Sequence, residues 1–146
     1  MAQPLDVKKW ITATIAMFVI LSVLEYLANL WILMPAYPQM FPSEGVSDNP
    51  MLQRLWIYLG RAIFSIMFVY IYIKGHEGKG PVGEGLRYGL WIVLFIPLPR
   101  FFGSLVTMTA GAGVPATGFF VSLVELLICG VVVALIYAPR PQKAAA

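Results

Sequence analysis

The chain alternates between long apolar stretches and short polar connections. Four of the stretches approach the ~20 residues that a helix needs to cross ~30 Å of hydrocarbon. They run from Trp10 to Met34, from Met51 to Ile73, from Leu86 to Thr109 and from Gly118 to Ala138. Pro35, Lys74-Gly75 and Pro139 close the first, second and fourth. The pattern predicts an all-α fold: one transmembrane domain over residues 1–146, built as an integral membrane four-helix bundle. Lys8 and Lys9 before the first stretch resemble the start of a signal peptide. That stretch is long, however, and holds Glu25 and Asn29, so it is read as a retained helix.

Composition strengthens this picture. Of 146 residues, 60% are hydrophobic and 12% charged, against about 25% charged in soluble domains. So little polar surface does not cover a water-soluble globule. The net charge of +3 is spread over short flanks rather than gathered in a patch, which excludes nucleic acid as the expected partner and leaves the lipid bilayer.

The placement of that charge predicts orientation. Lys8, Lys9, Lys74, Lys79, Arg87, Arg140 and Lys143 flank one side, and Arg54 alone sits at the other, where the first connection carries Glu44 and Asp48. The positive-inside rule then puts both termini in the cytoplasm. Trp10, Trp31, Trp56, Tyr72 and Tyr137 fall near the expected interfaces.

Two connections stand apart. Pro35 to Pro50 mixes four prolines with Tyr37, Met40 and Phe41, and reads either as a loop folded back on the bundle or as a partner-docking surface. The glycine-rich run from Gly75 to Gly85 reads as a flexible turn. It lacks the GxxxxGK[ST] spacing of a phosphate loop.

Each helix carries one ionisable residue deep in its apolar run: Glu25, Arg61, Arg100 and Glu125. From the basic flanks these lie about 24, 20, 20 and 22 Å along their helices, nearly one level. A charge at mid-membrane costs roughly 2.5–3.5 kcal/mol, and two acids with two bases offset much of that by pairing. The spacing predicts a neutral polar layer with Asn29 beside it. Ser22, Glu25 and Asn29 share one helical face, as do Arg54, Tyr58, Arg61 and Ser65; Arg100, Ser104 and Thr107; and Gly118, Ser122, Glu125 and Cys129. The layer serves as a register-fixing ion-pair network, as a ligand-binding or proton-relaying cavity, or as a set of charges that pairs with a partner subunit. Pro97 and Pro99, directly before Arg100, each remove a backbone donor and predict a kinked third helix.

No catalytic constellation is visible. His76, the only histidine, falls in a loop, and Cys129, the only cysteine, has neither a thiol partner nor a neighbouring base. Hence no catalytic residue, metal ligand or cofactor is assigned, and the protein is expected not to be an enzyme.

The run Tyr72 to Gly80, continued by Gly83 to Gly89, resembles uncharacterised small four-helix bacterial inner-membrane proteins, as does Glu125 followed by Gly130 and Leu135 to Tyr137. The resemblance implies a multi-pass protein of the bacterial inner membrane and implies no activity. Small multidrug transporters also share the size and an acid in helix one, matched by Glu25, but their helices are not expected to carry two arginines. Small size and the lack of soluble domains favour an accessory or scaffold subunit of a larger inner-membrane complex, respiratory or photosynthetic, or a homo-oligomer. The alternative is a small transporter or ligand-binding bundle that uses the Glu/Arg layer.

Overall fold

The computed structural model describes residues 6–36, 49–78, 80–107 and 111–138. It is all-α, with four helical spans each long and apolar enough to cross a membrane: Val7–Leu33, Met51–Gly75, Pro81–Thr107 and Gly113–Tyr137. This is the architecture of a multi-pass membrane protein. Tyr37, Met40 and Phe41 lie outside the described residues.

Local chemistry sets the ends of the spans. Helix α1 (Val7–Ala28) starts where the Asp6 carboxylate accepts from the Lys9 amide at 3.2 Å. It continues through a π turn, Asn29–Leu33, and a last helical turn, Met34–Ala36. The wider turn spreads the backbone ladder just before Pro35, whose missing N–H leaves a carbonyl earlier in the helix without its donor. Helix α2 (Pro50–Gly75) is capped by Asn49, which accepts from the Met51 amide at 2.9 Å. Its first residue, Pro50, supplies a φ already suited to a helix.

The third span begins at Pro81 rather than Leu86, because Pro81 opens the helix and Glu84 sits in its positive first turn. It divides into α3 (Pro81–Phe95) and α4 (Pro97–Thr107) about a turn residue, Ile96, and bends by 30°. Pro97 and Pro99 have no N–H to offer Val93 and Phe95, whereas Ile96 and Arg100 still donate to Ile92 and Ile96 at 3.0 and 3.2 Å. Helix α5 (Gly113–Tyr137) starts five residues earlier than the apolar run suggests. Pro115 is accommodated near its N-terminus, where amide donors have no helical partner.

One end of the bundle, holding Val7, Gly75, Pro81 and Tyr137, is called here the near end. Its core joins Ala13, Met17 and Leu21 of α1, Phe68, Val69 and Tyr72 of α2, Val93 of α3, and Leu126, Cys129, Val133 and Ala134 of α5. The α3–α5 contact is the tightest. A Cβ on Gly85 would lie 2.6 Å from the Gly130 carbonyl oxygen, and one on Gly89 would lie 2.6 Å from that of Leu126. Gly85 and Gly89 form a GxxxG pair whose bare face lets two backbones touch, a source of van der Waals attraction that lipid cannot replace. Tyr88, between them in sequence, packs edge-on against Phe68 and Tyr72 with centroids 4.7 and 5.2 Å apart. Its hydroxyl donates to the Phe68 carbonyl at 2.6 Å.

The far end is looser. In α2, residues 51–60 are exposed apart from the half-buried Gln53, and the Tyr58 ring centroid lies 6.4 Å from that of Phe18 on α1. Leu55, Trp56, Leu90, Trp91, Phe120 and Val124 are exposed apolar side chains on spans long enough to meet acyl chains.

Candidate functional site

The opening of the bundle at its far end leaves a cavity of about 360 Å³ between α1, α4 and α5, with Phe64 of α2 on its wall. Glu25, Asn29, Arg100 and Glu125 all line it; Arg61 does not. Four of the five residues assigned to the polar layer therefore meet around one space.

Glu25 and Arg61 form an ion pair across α1 and α2. The Arg61 side chain is 11% exposed and that of Glu25 is 40% exposed, so the arginine is the enclosed partner and the carboxylate faces the opening. The Tyr58 ring lies 5.5 Å from the guanidinium carbon, close enough for its π face to attract the cation. Ser65 is fully buried below and returns its hydroxyl to the Arg61 carbonyl at 2.9 Å.

Asn29 marks the start of the π turn and donates from Nδ2 to the Glu25 carbonyl at 2.7 Å. The turn thus holds Asn29 against the cavity by its own ladder. Arg100 follows the proline break. It is exposed and forms no ion pair among the described residues, while the Ser104 hydroxyl donates to its carbonyl at 2.8 Å. Glu125 on α5 is only 8% exposed, and its Oε1 is buried without a hydrogen-bond partner. Burial of an unsatisfied carboxylate oxygen costs free energy, so this position is held by the packing around it.

Two of the four charges thus neutralise one another and two do not. Arg100 and Glu125 line the same cavity without pairing. Gly118, Ser104 and Ser122 add small or hydroxylated surface, and Phe101 and Phe119, with ring centroids 5.5 Å apart, supply an apolar wall. The remaining polar positions are placed differently: Arg54, Tyr58 and Thr107 are exposed, and Cys129 is in the core. Arg54 and Tyr58 fall on the exposed half of α2.

The near end holds a second polar cluster. The Glu84 side chain is 3% exposed. Its Oε1 accepts from the Glu77 amide at 2.6 Å and lies 2.9 Å from His76 Nδ1, which is 3.2 Å from the Tyr72 hydroxyl. Arg87 pairs with Glu77 at 2.9 Å. The connection expected to be flexible is therefore clamped at His76 and Glu77 by the first turn of α3. Its sequence signal was an acid shortly after Pro81, at the positive end of a helix.

Among the described residues no group of three or more His, Cys, Asp or Glu is placed to hold a metal ion. Cys129 is buried and His76 is at the near-end connection, so the two share no site. Comparison of the chain with protein-family models, with curated proteins and with solved structures finds no match.

Proposed function

We propose that this is a non-enzymatic, multi-pass membrane protein that admits a small polar or amphipathic ligand to the cavity at the far end of its bundle. One observation carries the reading: Arg100 and Glu125 line a single 360 Å³ space and neither forms an ion pair among the described residues. A register-fixing network would bring its charges together, as Glu25 and Arg61 do. Unmatched charges beside a cavity, in a protein that must be inserted in lipid, suit a ligand that completes them. The π turn at Asn29 and the kink before Arg100 support the same reading, because irregular backbone at membrane depth is tolerated where it lines a cavity.

The flanking charge supports both termini in the cytoplasm, with the cavity in the half of the bundle away from it, and the resemblance implies a bacterial inner membrane as the setting. The accessory-subunit reading rests on size and on the absence of a catalytic set. It predicts a stoichiometric partner instead of a ligand. Native mass spectrometry of protein released from its own membrane discriminates the two. A small bound species present in the wild type and lost in both Arg100→Ala and Glu125→Ala is the expected result. A fixed-ratio protein partner with no such species would overturn the proposal.

A further inference from the structure

We infer that the cavity recognises a zwitterionic headgroup, a primary ammonium joined to a phosphate, carried on a hydrocarbon chain. The inference rests on the ligand-binding reading above and names its ligand class.

Charge sets the first requirement. The acid and base of the Glu25–Arg61 pair already satisfy each other. What remains is one base, Arg100, and one acid, Glu125, both lining the cavity and forming no ion pair among the described residues. A ligand bearing a single charge would match one and leave the other unmet in a medium where unpaired charge is expensive. A zwitterion of opposite polarity matches both and keeps the site neutral. The guanidinium fork is well suited to phosphate oxygens.

Hydrogen bonding sets the second. Glu125 is nine-tenths buried and its Oε1 has no donor. A primary ammonium brings three N–H donors, whereas a quaternary ammonium brings charge and none. Glu125 therefore favours the primary amine.

The walls set the third. Phe101, Phe119 and Leu126 line the same space and offer surface to a chain rather than to water. At about 360 Å³ the cavity is near the small end of ligand pockets, which span about 300–1,000 Å³. It takes a headgroup and the root of its chains, not a whole lipid.

The test uses the full chain in detergent and native mass spectrometry with four probes: short-chain phosphatidylethanolamine, phosphatidylcholine and phosphatidylglycerol, and soluble phosphoethanolamine. The wild type should retain phosphatidylethanolamine roughly tenfold better than either other lipid, a difference typical of one satisfied charged hydrogen bond. Glu125→Gln should erase the preference while phosphatidylglycerol retention persists. Arg100→Gln should lower retention of all three lipids by about tenfold. Because Arg100 is exposed, that variant tests the inference even where Glu125→Gln fails to fold. Phosphoethanolamine retained as well as the short-chain lipid supports the same headgroup chemistry from a soluble source. Equal retention of all lipids by the wild type, or a preference that survives Glu125→Gln, overturns the inference. If a species native to the membrane is still bound and is still lost in Arg100→Ala and Glu125→Ala, only the ligand class has failed and the cavity reading stands.

Discussion

The two ends of this bundle solve the membrane problem in opposite ways. At the near end the chain removes side chains altogether: Gly85, Gly89 and Gly130 bring α3 and α5 into backbone contact, and aromatic rings of α2 and α3 fill the space beside them. At the far end the same helices diverge. There the chain keeps ionisable groups it does not need for packing, and two of them line a cavity with no ion pair among the described residues. Tight packing and unmet polarity are separated along the helix axis. The near end can then hold the bundle together while the far end stays open. Rigid support beneath a less stable site is the arrangement expected where binding groups are not optimised for stability.

The largest expected effect lies at the near end. Gly89→Leu forces a side chain into the α5 backbone and should cost about 3 kcal/mol or abolish folding. Gly103→Leu, at a glycine with nothing within 4 Å of an added Cβ, should stay within about 0.5 kcal/mol of wild type. Unfolding in detergent by thermal or denaturant titration compares them. Similar losses at both sites would erase the distinction between the two ends.

The clamp on the near connection comes next. Glu84→Ala removes an acceptor for the Glu77 amide and should weaken the local structure by about 2 kcal/mol. Amide hydrogen exchange at Glu77 would then quicken by about thirtyfold. Exchange unchanged from wild type would show the connection to be held by other contacts.

The Glu25–Arg61 pair, which joins the two regimes, should give a smaller and asymmetric effect. Glu25→Gln leaves the enclosed Arg61 unpaired and should cost about 2 kcal/mol; Arg61→Gln leaves a carboxylate already facing the cavity and should cost about 1 kcal/mol. The double variant should be more stable than the sum of the singles implies. Strict additivity would mean that the pair contributes nothing.

Much of the architecture was legible because span length and charge spacing are enforced by the bilayer itself. Four runs of about the right length could be little else, and Glu25, Arg61, Arg100 and Glu125 share a depth that the structure turns into a shared space for all but Arg61. Helix starts were less legible: Pro81 and Gly113 open helices inside segments whose polarity or glycine content reads as loop. Gly85 and Gly89 stand at GxxxG spacing, but Gly85 closes a run that reads as a glycine-rich turn, whereas Gly118 and Ser122 on the last helix border the cavity. Which acid meets which base depends on how far the helices splay, and no local pattern encodes that. Arg54 and Tyr58 share the face of Arg61 by periodicity yet stay exposed, because α2 is only lightly covered along residues 51–60.

The difference between the ends can be measured by thiol accessibility in native membranes. Cys129, the chain's only cysteine, is buried in the near-end core and should resist a charged, water-soluble thiosulfonate reagent. Ser122→Cys in a Cys129→Ala background places a thiol on the cavity wall and should react at least about a hundredfold faster, whereas Val124→Cys on the outer apolar face should be as silent as Cys129. Rapid modification of Ser122→Cys alone is the result predicted by a water-reachable far end over a closed near end. Equal and slow reaction at all three positions would contradict it.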